Sequence, residues 1–403
     1  PNKSFKDVTN VDYKIPVAEP EIGEAELKNV VEAVKSGWVS SKGRFIAEFE
    51  KKFSIYIGVK YGTSTSNGTA ALHLALAALE VKHGDEVIVP ALTFASVANV
   101  VIYAGAKPVF VDSHPEYWCI DASKIEEKIT KKTKAIIPVH LYGHPCNMDP
   151  IMKTAKTHNL YVIEDCAEAH GAEYKGRKVG TFGDIACFSF YGNKIITTGE
   201  GGMCLTKDEE LAEKIRVFRD HGMDTKKKYW QQVIGFNYRM TNLQAALGVA
   251  QLEKIDKFIE RKRKIAKTYN TFLKNVQGVT LHPEMPWAKN VYWLYSILID
   301  AKKYGINRDD LMEKLAQKGI ETRYFFYAMH IMPPYKRYAI NCRFHVAEKL
   351  SSSGINLPSS VKLKEEEIHE VAQLINSQPM LHPRVGGGAH SIYTKSIESI
   401  LST

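Results

Sequence analysis

Residues 60–210 predict an α/β protein whose sheet is mainly parallel and covered on both faces. Two observations carry this. Apolar runs of strand length alternate with stretches of helical period. The runs are also apolar throughout, not on every second residue, as strands buried on both faces must be. The candidate strands are 86–90, 108–112, 135–140, 160–164, 185–190 and 202–205. The candidate helices are 69–79, 95–104, 123–129 and 149–158. Ligands of such sheets sit beyond the carboxyl ends of the strands, which directs attention there.

Further along, Leu243, Leu247, Ala250, Ile255, Phe258, Ile259 and Phe272 form an apolar stripe at helical spacing, predicting one long helix over 243–273. Its run Glu260-Arg261-Lys262-Arg263-Lys264 reads as a solvated face. The stretches 292–299 and 309–318 suggest a smaller α/β domain. The expected organisation is a large domain over 1–250, a small domain over 251–378 and an appended tail over 379–403, which contains Gly386-Gly387-Gly388.

Composition narrows the class. The chain has 403 residues, 44% hydrophobic and 25% charged, which excludes wholesale disorder, collagen and a disulfide miniprotein. No run of 18 apolar residues offers a membrane helix, and the N-terminal residues lack an apolar signal core. The formal net charge of +9 is mild and agrees with an anionic small molecule. The densest basic run, Lys226-Lys227-Lys228, reads as a loop, and no nucleic-acid module is present. The six cysteines form no CxxC pair and several lie in apolar runs. They read as free thiols of a cytoplasmic protein, with no metal site. His140 and His144 stand four apart, but the segment around Gly143 and Pro145 reads as a hydrogen-bonded loop.

Three motifs can carry chemistry. Ser66-Asn67-Gly68-Thr69 precedes a strongly helical run, so it marks a helix N-terminus that suits either a phosphate or a simple cap. Ile163-Glu164-Asp165-Cys166-Ala167-Glu168 ends a strand in acids. Asp165 and Glu168 form either a capping box or a carboxylate site for a cationic ring. Ser189-Phe190-Tyr191-Gly192-Asn193-Lys194 leaves another strand with a lysine, ahead of a Gly-rich loop. Such a lysine is a surface residue by default; in an apolar pocket it can form a Schiff base. Together the motifs supply a phosphate cradle, an acid for a ring nitrogen and an amine for an aldehyde. Those are the three handles of pyridoxal 5′-phosphate.

The segments SNGTAALHLAL, VPALTFASVANVV, IEDCAEAHGA, GDIACFSFYGNKIITTGEGGM and GFNYRMTNLQAALGVAQLE occur in this order. Over about residues 15–378 the chain resembles the DegT/DnrJ/EryC1/StrS family of pyridoxal-phosphate sugar aminotransferases. The resemblance implies the fold-type-I, aspartate-aminotransferase-like architecture. It implies that Lys194 carries the cofactor and that Asp165 pairs with the pyridine nitrogen. Glu168 would lie near the phenolic oxygen, where many relatives have Gln. Gly68, Thr69 and Ser189 would hold the phosphate, and Phe94 would stack on the ring. Asn237 would reach the phosphate of a neighbouring subunit, making the enzyme a homodimer with shared sites. Trp38 and Ser40 would stand at the active-site mouth, and Tyr327 and His330, in a segment rich in aromatics, could line the sugar pocket.

The implied reaction moves an amino group from L-glutamate to a nucleotide-linked 4-keto-6-deoxy sugar. RDHGM, KKYWQQVIGFNYRMTN and RYFFYAMHIMPPY point to members acting on GDP-4-keto-6-deoxy-D-mannose. A UDP- or dTDP-linked ketosugar is the rival substrate, and a non-catalytic sensor of cofactor or sugar nucleotide is the rival from another class. Relatives that remove the C3 hydroxyl replace the lysine with histidine, so Lys194 argues against that chemistry. A nicotinamide oxidoreductase is set aside, since no G-x-G-x-x-G follows a strand.

Overall fold

The computed structural model describes residues 13–224 and 226–377. The tail expected over 379–403 lies outside the described residues. The large sheet has seven strands: β1 (Tyr61–Thr65), β2 (Glu86–Pro90), β3 (Lys107–Val111), β4 (Thr133–Ile136), β5 (Tyr161–Asp165), β6 (Ile185–Ser189) and β7 (Gly202–Thr206). Their order is β1-β7-β6-β5-β4-β2-β3. Neighbours from β6 to β3 pair in parallel, and only β7 runs against both its neighbours. This is the mainly parallel sheet that continuous apolar runs require. Strands β2, β6 and β7 are buried along their whole length.

The strand β1 escapes the sequence pattern because it reads Tyr-Gly-Thr-Ser-Thr, without an apolar run. Its Ser64 is held by the Glu50 carboxylate at 2.7 Å instead of by apolar packing. The helix expected over 123–129 forms only two short 3-10 turns, Ala122–Lys124 and Glu126–Lys128. Asp121 caps the first through the Ser123 N–H, a local bond that competes with helix propagation.

The expected long helix is two helices, α7 (Asn242–Leu252) and α8 (Ile255–Leu273). The break falls at Glu253 and Lys254. Lys254 is drawn to the buried Glu26 carboxylate at 2.7 Å, and Gln251 binds that carboxylate at 2.8 Å. These bonds fix the end of α7 and let α8 leave at its own angle. The core falls into two clusters, and α8 spans them. Ile255, Phe258 and Ile259 pack with the large sheet. Ile265, Ala266, Tyr269 and Leu273 pack with the smaller unit. That unit holds an antiparallel sheet of β8 (Val279–Thr280), β9 (Tyr295–Ile299), β10 (Arg323–Tyr324) and β11 (Gly354–Leu357), in the order β8-β9-β11-β10. The clusters do not divide the chain cleanly, since Ile15 joins the second and Phe325, Phe326, Ala328 and Met329 pack with the first. Among the described residues no helix is long and apolar enough to cross a membrane.

Candidate active site

A cavity of about 640 Å³ opens where β5 and β6 end and where α3 (Gly68–Ala78) begins. Large-domain residues form its floor, and Trp293, Arg323, Phe326 and Asn356 close it from the side of the small sheet. Asp165, Glu168, Ser189 and Lys194 all line it, which brings two of the sequence motifs together. Asn67, Gly68 and Thr69 bring the third.

The floor is electrostatically unsettled. Asp165 is the last residue of β5 and is buried, yet among the described residues its side chain accepts one hydrogen bond, from the Ala167 N–H at 3.0 Å. An ionised carboxylate has room for about four such bonds. Burial therefore raises the Asp165 carboxyl above its ordinary range, opposed by the Ala167 bond and by the charge of Lys194. Glu168 accepts from the Tyr142 N–H at 2.7 Å. Burial pushes Glu168 up to about 7, with Lys194 and the Tyr142 bond opposing. No helix begins at Asp165, so the capping-box alternative falls: the segment is a turn.

Lys194 sits in the turn after β6. The residue is half-buried and lines the cavity. Burial lowers its ammonium below the ordinary lysine range, while Glu168 and Asp165 oppose the shift. Tyr142, which holds Glu168, has the left-handed backbone conformation with φ 52°. That strain is stored where the carboxyl is positioned.

The opposite end is a helix N-terminus. The Asn67 side chain accepts from the Ala70 N–H at 2.8 Å, capping one donor of the first turn. The Gly68 and Thr69 N–H groups precede any intrahelical partner and face the anion-favouring end of the helix dipole. A Cβ at Gly68 would fall 2.8 Å from Ser189 Cβ, so only glycine lets Ser189 stand against this turn. Cap and cradle thus coexist at one site. The buried Thr93 Oγ1 and Asn193 Oδ1 have no partner among the described residues, and both residues line the cavity. Buried orphans of this kind mark the place of a polar ligand.

Other expected residues lie differently. Phe94 lines the cavity, half exposed, with its ring 5.7 Å from Phe326. Asn237 is exposed and bonds Arg239 at 3.0 Å; it does not line the cavity of its own chain. Trp38, Ser40 and Tyr327 are exposed and also stand outside the lining. The backbone oxygens of Trp38 and Ser40 accept from Asn242. His330 bonds Glu348 at 2.9 Å and does not line the cavity. The sequence reading missed Tyr142, Trp293, Phe326 and Asn356, which arrive from distant loops and strands and carry no local motif. An aromatic excess in 324–327 was the one available signal.

Behind the cavity, His140, Glu164 and Cys166 have ligand atoms within 4.8 Å of one another. Glu164 already accepts from the N–H groups of Gly180, Phe182 and Gly183 at 2.7–2.8 Å. It also binds His140 Nε2 at 3.2 Å, and His140 Nδ1 accepts from the Cys146 N–H. Burial and the neighbouring acids keep the Cys166 thiol protonated. The cluster is a closed hydrogen-bond network. His144 is likewise engaged, with Pro145 O and the Met285 N–H.

Parallel sheet, satellite domain and a lysine facing acids at the strand ends define a fold-type-I pyridoxal-phosphate enzyme. The solved structures that the chain resembles are of this kind. An aminotransferase, TlmJ from Streptoalloteichus hindustanus, matches with a TM-score of 0.85 at 30% identity, over 90% of this chain and 98% of its own. The PLP form of a putative sugar aminotransferase, Spr1654 from Streptococcus pneumoniae, matches with 0.84 at 29% identity, over 91% and 98%. The chain belongs to the DegT/DnrJ/EryC1/StrS aminotransferase family, whose profile matches residues 20–376. A GDP-perosamine synthase from Escherichia coli O157:H7 is 50% identical over 364 residues, 90% of this chain and 98% of the relative. One from Caulobacter vibrioides is 47% identical over 359 residues, 89% and 96%. The protein is thus a pyridoxal-phosphate-dependent sugar aminotransferase. Its residues fit the cofactor: a donor-rich helix end, an acid short of partners, and a desolvated lysine face one cavity.

Proposed function

We propose that this enzyme transfers an amino group from L-glutamate to GDP-4-keto-6-deoxy-D-mannose, giving GDP-perosamine. The similarity to relatives bearing that synthase name supports the substrate, and the lysine between two buried acids supports the chemistry. The mild positive charge agrees with a nucleotide diphosphate.

The cofactor, when bound, supplies an electron sink for the carbanion at the donor's α-carbon. Lys194 Nζ would carry the cofactor, and once displaced by the donor it would take the donor's α-proton as general base and deliver it as general acid to the cofactor's C4′. Its lowered basicity suits both tasks. Asp165 would keep a proton on the ring nitrogen, a cation that would answer its missing hydrogen bonds. Glu168, whose carboxyl burial pushes up to about 7, would when protonated lend its second oxygen as a donor to the phenolic oxygen, as a Gln amide does. The Gly68 and Thr69 N–H groups and Ser189 Oγ would bind the phosphate, and Phe94 would cover the ring.

The working unit in this reading is a homodimer in which Asn237 serves the other subunit's phosphate. Its position outside its own cavity supports that role. So do Leu27, Val31 and Val34, exposed at i, i+4 and i+7 on the helix Glu24–Lys35 beside Trp38 and Val39. Such a contiguous apolar strip suits an interface. Trp38, Ser40 and Tyr327 then meet the sugar nucleotide at the shared mouth, and His330 joins them only when its Glu348 bond opens. A cytoplasmic location agrees with six free cysteines, five of them buried. The test is a panel of GDP-, UDP- and dTDP-linked 4-ketosugars with glutamate, read by mass spectrometry. Amination of the GDP sugar at least tenfold above the others is expected. Preference for another base would transfer the assignment to that substrate.

A further inference from the structure

Trp293 touches the turn of Lys194 in two ways. Lys194 Nζ lies 3.7 Å from the centroid of the Trp293 ring. The indole Nε1–H donates to Asn193 O at 2.8 Å, the carbonyl just before the lysine. Trp293 is buried and lines the cavity. It is also held from behind. Its backbone oxygen accepts from Lys262 Nζ at 3.0 Å, and Lys262, buried in α8, gives a second bond to Ser359 O at 2.8 Å. The Tyr142 ring stacks at 6.1 Å with an interplanar angle of 16°. The indole therefore has little freedom, and its face is presented to the amine.

During a transamination cycle the lysine must leave the cofactor and wait nearby. A waiting ammonium in a desolvated cavity needs a partner on each side. Glu168 and Asp165 face it from the large domain. His170 is buried too, and burial pushes it down to about 3, so it brings no competing charge near neutrality. The remaining side is the indole.

We propose that Trp293 is a positioning residue for Lys194: its ring face seats the ε-ammonium whenever that amine is free of the cofactor, and its N–H fixes the turn that carries the lysine. The small domain thereby acts on the catalytic amine through one side chain. Cation–π contact favours the charged form, most with indole and less with phenyl. Loss of the face should therefore let the amine give up its proton at lower pH, and loss of the N–H should loosen its aim.

The proposal rests on Lys194 being the cofactor lysine, and its test is chosen to separate the two. The enzyme is loaded with pyridoxamine 5′-phosphate, which leaves the lysine free. Acetylation of Lys194 by acetic anhydride is then followed against pH by mass spectrometry. Trp293→Leu should lower the labelling midpoint by about one pH unit and Trp293→Phe by about half as much. Turnover should fall about tenfold in kcat, with KM for the nucleotide sugar nearly unchanged. Should the Leu variant fail to fold, the Phe variant carries the test. Unshifted midpoints with lowered thermal stability would reduce Trp293 to packing and overturn the proposal. If instead Lys194 is not the cofactor lysine, either wild-type enzyme shows no visible band with pyridoxal phosphate or Lys194→Ala shows the same band, whatever the labelling midpoints.

Discussion

Glu164 and Asp165 are neighbours on one strand, both buried, and they live in opposite electrostatic worlds. Glu164 is held by three backbone N–H groups and a histidine. Its hydrogen bonds overcome burial and bring its carboxyl below the ordinary range. Asp165 has one such bond, and burial wins. Successive strand residues point to opposite faces. One face meets the closed network behind the sheet; the other meets the cavity. A satisfied buried acid is architecture, whereas an unsatisfied one has room for a ligand. The same contrast separates His140, bonded at both nitrogens, from Lys194, which has two nearby acids and an open cavity.

That contrast can be broken by substitution. Lys194→Ala should remove turnover, on the order of 10⁴-fold, without changing the oligomer. Steady-state transamination retained in this variant would sink the assignment. Asp165→Asn should cost ~100-fold or more, because an amide cannot hold the ring proton. Near-normal turnover would make Asp165 a turn residue like many others. Glu164→Gln should act oppositely. It should lower unfolding stability by about 2–3 kcal/mol in urea, since an amide NH₂ would face backbone N–H donors. The cofactor's absorption should stay where it was. Asn237→Ala should weaken cofactor retention about tenfold in dialysis; unchanged retention would remove it from the neighbouring site.

Glu168→Gln is the mildest change and the sharpest on pH. Folding raises the Glu168 pKa from its ordinary 4.5 to about 7. Its contribution to stability is therefore full below about pH 4.5 and is lost as pH rises through about 7. The Gln variant should show a flatter decline in urea midpoint over that window and lose only a fewfold in kcat. A parallel decline in both proteins would mean that Glu168 is not the titrating group.

Much of this was legible in the sequence wherever one local rule governed. Buried parallel strands read as unbroken apolar runs, and the acids and lysine follow their strand ends, so sheet and floor could be anticipated together. Strand β1 was not legible because its polar residues are fixed by Glu50 in another element. The break between α7 and α8 was hidden because Glu26, more than two hundred positions away, sets it. Trp293 looked like one more aromatic in an apolar run, and only the tertiary fold brings it to Lys194. Resemblance pointed to Trp38 and Ser40 and an aromatic-rich segment to Tyr327; all three lie outside the lining of their own chain's cavity.

The central claim is that Lys194 joins the cofactor and hands it to an amino donor. The direct measurement is the absorbance spectrum of the purified protein with pyridoxal 5′-phosphate, before and after L-glutamate, beside Lys194→Ala. A visible band that gives way to the shorter-wavelength pyridoxamine form, and that the variant lacks, is the predicted result. A protein that forms no such band, or a variant that forms the same one, would contradict it.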